Sequence, residues 1–200
     1  MTDAQLIEKF LHGDVSAFNT LVGRWERSLY NFILRYVGNR EEAKDICQMA
    51  FMRVFRNLKG LRDPEKFSSW VYQIAVNVCR DELKKKSRRK TYSLNNFQDD
   101  DAKIENPNLK MERTVATDPD LAAQKRDIRD LLNKALQSIP EEQRVVVIMK
   151  EYQGLKFTEI AETLGISINT AKSRMYYGLS ALKKVFDNWE IDKEKIIYEL

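Results

Sequence analysis

The sequence predicts an all-α protein of two small helical domains joined by a flexible linker. Three observations carry that expectation. Apolar residues recur at steps of three and four through most of the chain, only four prolines and seven glycines interrupt 200 residues, and a polar stretch near the middle has no apolar period. A chain of this length is one large or two small domains, and 43% hydrophobic residues suffice for packed cores. The expected boundaries are 1–90 for the first domain, 91–119 for the linker and 120–200 for the second.

A short helix is expected at residues 3–11. From Asp14 the residues Phe18, Leu21, Val22, Trp25, Leu29, Phe32, Ile33 and Tyr36 form one face of a long helix that ends near Gly38. Asn39 caps the next helix, with Glu41 and Glu42 suited to its first turn. Its inward stripe reads Ala43, Ile46, Cys47, Ala50, Val54, Phe55 and Leu58. Gly60 and the Asp63-Pro64 pair mark a loop. A further helix follows from about Phe67 to Lys86, with Trp70, Ile74, Ala75, Val78 and Leu83 inward. Together these helices close a small bundle.

Residues 91–119 are polar, include Asp99, Asp100 and Asp101 in succession, and hold Pro107 and Pro119, which reads as a linker without a core. Periodicity resumes near Leu121, with helices expected at 120–138, 141–152, 157–164 and 168–186. Pro140 sits where a helix tolerates proline, in its first turn.

Charge and cysteine use narrow the function. Residues 1–97 hold 18 basic and 11 acidic side chains, whereas 127–200 hold 11 and 12. The basic excess concentrates in Arg80, Lys84, Lys85, Lys86, Arg88, Arg89 and Lys90, a pattern shared by nucleic-acid footprints and solvated helix ends. Cys47 and Cys79 lie within apolar stripes and read as buried thiols of a reducing compartment. With no C-x-x-C and a single histidine, His12, a zinc site is not expected. No apolar run approaches the roughly 18–20 residues that span a bilayer, and the first residues lack the zones of a secretory signal, so a cytoplasmic protein without membrane insertion is expected. No Gly-rich phosphate loop, metal-spaced ligand set or nucleophile–histidine partnership appears, so neither catalysis nor a cofactor is expected.

The most specific motif runs from Phe157 to Met175. Ile160 and Leu164 face inward, and small Ala161 lets a second helix cross closely. Gly165 takes a left-handed turn, Ile166 fills the corner and Ser167 caps the next helix. Ala171, Met175 and Leu179 or Leu182 anchor that helix. Asn169, Thr170, Lys172, Ser173 and Tyr176 point outward from its first half. This is the pattern of a helix-turn-helix that enters a major groove. An ordinary helical hairpin has no reason to combine these residues at this spacing.

The segments Asp45-Ile46-Cys47-Gln48-Met49-Ala50-Phe51-Met52-Arg53-Val54-Phe55-Arg56 and Phe67-Ser68-Ser69-Trp70-Val71-Tyr72-Gln73-Ile74-Ala75-Val76-Asn77-Val78-Cys79-Arg80-Asp81, with Lys172-Ser173-Arg174, resemble the extracytoplasmic-function group of bacterial sigma factors. The resemblance runs from about Asp14 to Phe186. It implies a first domain like sigma region 2, which docks on core RNA polymerase and opens the −10 element, and a second like region 4, which reads the −35 duplex. It further implies an anti-sigma partner and a linker that threads near the RNA exit path. By position, Asp45 and Gln48 match the polymerase-docking pair, with Met49 where the family often has Glu. Gly60, Leu61, Arg62 and Asp63 match the loop that pockets an unstacked base, and Asn77, Arg80 and Lys84 would line the melted −10 strand. Asn169, Thr170, Lys172, Ser173, Arg174 and Tyr176 would contact the −35 duplex. Asn169 stands where the family pattern has Gly, and Ala171 where it has Val, which shifts the expected promoter sequence. A conventional helix-turn-helix regulator that binds duplex DNA alone is the rival reading. An enzyme and a protein-binding adaptor fit less well.

Overall fold

Side-chain caps set where the helices begin. The Asp14 carboxylate accepts from the Ser16 and Ala17 amides at 2.9 and 3.3 Å, and Asn39 accepts from the Glu42 amide at 3.0 Å. Hydrogen bonding, above all from the Ser16 hydroxyl, holds the Asp14 carboxyl below its ordinary range. The computed structural model describes residues 1–96 and 119–189, with side chains at 1–89 and 126–189. Among the described residues there are helices and turns but no strand, as expected for an all-α chain.

The first module comprises α1 (Asp3–Leu11), α2 (Val15–Val37), α3 (Arg40–Asn57) and α4 (Phe67–Asn96). Two short 3₁₀ turns, Leu58–Gly60 and Pro64–Lys66, carry the chain from α3 to α4. Thr2 and Gln5 form a capping box on α1, and Trp25 donates to Asp3 at 2.9 Å, which ties α1 to α2. Gly38 ends α2 with φ of 76°, a conformation that suits glycine. Between α2, α3 and α4 lie Leu29, Phe32, Ile33, Ala50, Val54, Val71, Ala75 and Val76, all essentially without solvent exposure. Phe32 sits between two tyrosine rings, with centroids 6.0 Å from Tyr36 and 5.0 Å from Tyr72. Each such aromatic pair contributes about 0.5–1.5 kcal/mol beyond its area burial.

Most sequence expectations agree with this bundle, and several need correction. Phe55, placed in the α3 stripe, is 47% exposed and touches Phe10 and Phe18 by one edge. In α4, Ala75 and Val78 are inward, but Trp70, Ile74 and Leu83 are only partly covered; Val71, Tyr72, Val76 and Cys79 take the central places. The helix also runs ten residues past Lys86, and Arg88, Arg89 and Lys90 in that extension are good helix formers. The linker expected at 91–119 lies outside the described residues, apart from 91–96 and Pro119, which are helical. Both cysteines are free and buried, and burial pushes the Cys47 thiol up to about 11 and raises that of Cys79 as well.

The second module comprises α5 (Pro119–Gln137), α6 (Glu141–Val147), α7 (Phe157–Leu164) and α8 (Ile168–Asn188). Pro140 occupies the cap position before α6 rather than its first turn. After α6 the chain widens into one π-turn, Ile148–Tyr152, before the bend at Gly154. Val145, Val146, Ile148, Met149, Ile160 and Ala171 are buried at its centre. α8 crosses α6 so closely that a Cβ on Gly178 would lie 2.8 Å from the Val147 Cγ2. The buried residues of both modules belong to one continuous apolar cluster. Among the described residues, no helix is long and apolar enough to cross a membrane.

Candidate nucleic-acid interface

The helix-turn-helix forms as its residues dictate. Gly165 closes α7 with φ of 65°, where L side chains are strained, and the Ile166 amide donates back to the Ala161 carbonyl at 3.0 Å. The Ser167 hydroxyl then accepts from the Thr170 amide at 3.0 Å and starts α8. Ala161 is buried at the crossing, and Ala171, Met175 and Gly178 form the inward line of α8. Leu182 packs inward as expected, while Leu179 is 47% exposed.

This leaves Asn169, Thr170, Lys172, Ser173 and Tyr176 in solvent on the first half of α8. They offer amide, hydroxyl and ammonium donors, a mixture that contacts both phosphates and base edges. Tyr177 joins them, its ring edge-on to Tyr176 at 5.6 Å. Its place between outward Tyr176 and inward Gly178 carries no directional signal in the sequence. Arg174 differs from its neighbours: its guanidinium is drawn aside by Glu142 at the start of α6.

On the first module, the turns after α3 bring Leu61, Arg62 and Asp63 against Trp70 around a cleft of about 300 Å³. Trp70 and Leu61 are partly covered, while Gly60, Arg62 and Asp63 are exposed. Asp63 also accepts from the Glu65 amide at 3.1 Å, so its carboxylate shapes the turn. Glu162 and Thr163 of α7 wall the cleft from the other module, and Lys66 on its rim pairs with Glu162 at 2.6 Å.

Asn77, Arg80 and Lys84 recur along α4 at helical spacing. Asn77 and Lys84 are exposed, but Arg80 is about two-thirds buried, its Nε donating to Glu141 at 3.2 Å. The Tyr36 hydroxyl donates to the same carboxylate. Burial works against the Arg80 charge, yet Tyr36 and Glu141 outweigh it and hold the guanidinium above its ordinary value. Burial, with Glu141 beside it, keeps the Tyr36 phenol protonated far above neutral pH.

Asp45 and Gln48 are exposed on α3. Neither makes a hydrogen bond or ion pair among the described residues. Met52 and Phe55 continue the same face one and two turns on, both about half exposed. The spacing 45, 48, 52, 55 was the available signal for this apolar extension.

Comparison with known proteins gives these surfaces a family context. Residues 21–89 match sigma-70 region 2, and residues 129–182 match sigma-70 region 4. Two such modules in this order define a sigma factor of the sigma-70 type. The chain is 30% identical over 184 residues to the ECF RNA polymerase sigma-E factor of Escherichia coli K12, covering 91% of this chain and 93% of that protein. It is 28% identical over 182 residues to the RNA polymerase sigma-H factor of Pseudomonas aeruginosa, covering 91% and 92%. The chain belongs to the extracytoplasmic-function group of the sigma-70 family. Its fold is similar to that of CnrH in complex with the cytosolic domain of CnrY, with a TM-score of 0.65 at 20% identity over 93% of this chain and 97% of that one. It is also similar to RpoE in complex with the anti-sigma factor NepR from Bartonella quintana, with a TM-score of 0.66 at 20% identity over 86% and 98%.

Proposed function

We propose that this chain is an alternative sigma factor that joins core RNA polymerase and directs it to a distinct set of promoters. The first module, residues 1–90, docks through Asp45 and Gln48 on α3. Its turn residues Gly60, Leu61, Arg62 and Asp63 receive an unstacked base of the −10 element, and Asn77, Arg80 and Lys84 follow the opened strand. The second module, residues 120–200, reads the −35 duplex through Asn169, Thr170, Lys172, Ser173, Arg174 and Tyr176. Residues 91–119 connect the two. The chain performs no chemistry of its own; strand opening is driven by the binding energy of the captured single strand. It acts in the cytoplasm, and an anti-sigma protein holds it inactive. The similar RpoE from Bartonella quintana, in complex with the anti-sigma factor NepR, supports that last reading.

The single observation that carries this reading is the outward first half of α8, donor-rich and exposed on a glycine-opened, serine-capped helix-turn-helix, in a chain of this family. The test is runoff transcription with core polymerase and a pool of genomic promoter fragments, which should yield promoter-dependent transcripts. The Asp45→Ala/Gln48→Ala variant should bind core polymerase at least tenfold more weakly with an unchanged circular-dichroism spectrum. A transcript pattern identical with and without the chain would refute the function, and unaltered core affinity would remove the docking pair.

A further inference from the structure

Between Pro140 and Gln143, two adjacent carboxylates turn to different partners. Glu141 reaches the first module, where it takes the Tyr36 hydroxyl and the Arg80 Nε. Glu142 reaches α8, where it takes the Arg174 guanidinium. Acidic residues in a first helical turn are favoured by the helix dipole alone. The dipole does not explain why each meets a cation from a different DNA-facing surface.

We propose that Glu141 and Glu142 form a self-competing latch: in the free chain they occupy Arg80 and Arg174 in place of DNA phosphates, with the two modules closed on each other. This rests on the reading above of Arg80 and Arg174 as DNA-facing. The closed state is built by more than the two carboxylates. The Gln153 Oε1 accepts from Ser28 at 3.0 Å and from the Tyr72 hydroxyl. Arg144 donates to the Tyr36 carbonyl at 2.9 Å, and Gln137 donates to the Arg35 carbonyl at 2.8 Å, so the last turn of α2 is capped from the second module. Gln137 lies so close to Gly38 that any Cβ there would sit 2.7 Å from its side chain. The Arg35 guanidinium lies 4.1 Å from the Tyr152 ring centre. At the far end, Lys66 and Glu162 close over the turn cleft.

The two carboxylates do different work. Glu141 is part of the closed seam, about one-third exposed, so its release and opening of the modules are coupled. Glu142 is 66% exposed and stays within its own module, so its hold on Arg174 yields without any opening. Docking on polymerase through α3 leaves the seam untouched at first. A promoter-length separation of the two modules then breaks it and frees Arg80 for the strand. The latch thereby weakens DNA binding by the closed chain, and Arg80 is released only where the two modules are held apart.

The test uses the full chain with two fluorescein-labelled probes, a dT12 strand and a 30-base-pair duplex of random sequence, at fixed salt because phosphate contacts dominate such binding. Glu141→Gln should raise dT12 affinity three- to tenfold and increase the radius of gyration in solution scattering. Glu142→Gln should raise duplex affinity about threefold with no change in that radius. A Glu8→Gln variant removes the same single charge at an exposed site on α1, outside the seam, and serves as the control. An equal gain in the control, or unchanged affinity and radius in Glu141→Gln, overturns the latch. If wild-type chain and core polymerase still give promoter-dependent transcripts in that event, the function stands and only the latch falls.

Discussion

Arg80 and Lys172 are both cations on long helices that face DNA in the proposed function, yet they stand in opposite circumstances. Arg80 is mostly covered and tied across to the other module, whereas Lys172 is exposed with no ion pair among the described residues. The difference begins in the packing of their helices. α4 buries a broad face through Phe67, Val71, Tyr72, Ala75, Val76, Val78 and Cys79. α8 buries a narrow line of Ala171, Met175 and Gly178, two of them nearly without a side chain. A helix that must enter a groove keeps most of its circumference free. A helix that guides a strand only after docking can be walled in until then.

The largest expected effect tests whether packing, rather than the ion pair, holds α4. Phe32 lies under α4 against Tyr36 and Tyr72, the two rings whose hydroxyls reach the second module. Phe32→Ala should cost about 3–5 kcal/mol in urea denaturation, as expected for deletion of a fully buried ring. A loss below about 1 kcal/mol would mean that the seam contacts carry the helix instead.

Local signals explain what was legible in the sequence. Asn39, Gly38, Gly165 and Ser167 act within one turn of their own position, so residue type alone locates each boundary, and every one lies where expected. Apolar period was weaker evidence, because it gives a direction and not the width of the groove on that side. Phe55 and Leu179 have the right spacing and stay half exposed, while Tyr72 is buried among rings that its own helix does not contain. The seam was not legible at all. Tyr72 and Gln153, 81 residues apart, meet only across the contact between the two modules, and the carboxylates after Pro140 read as an ordinary helix start. The site residues carried by resemblance came out mostly exposed; Leu61, Arg80 and Arg174 depart from that, and the carboxylate partners of the two arginines are what sequence reasoning lacked.

A second variant sharpens the contrast from the α8 side. Gly178→Ala forces a Cβ to within 2.8 Å of Val147, so the α6–α8 crossing must widen. The expected cost is about 1–3 kcal/mol, the range for overpacking a tight core. Because the recognition helix then shifts relative to α6, duplex binding should weaken more than dT12 binding. Equal losses on the two probes would place the damage in general unfolding rather than in the crossing.

Ser167→Ala removes the side-chain cap at the start of α8, at an expected cost of about 1 kcal/mol. The change should be local: faster amide exchange at Thr170 and its neighbours, with Phe32 and the rest of the first module undisturbed. Uniform acceleration across both modules would show that they unfold as one unit, joined through the shared apolar cluster.

The smallest effect on stability falls on Lys172 itself. An exposed lysine without an ion pair among the described residues contributes within about 0.5 kcal/mol, so Lys172→Ala should leave the denaturation midpoint in place. Its signature is electrostatic instead. Loss of one phosphate contact lowers the steepness of log affinity against log salt by about one for duplex DNA. A Lys172→Ala slope equal to that of the parent chain would turn this face of α8 away from the phosphates. The contrast with Arg80 would then be one of burial alone, with no bearing on which module meets DNA first.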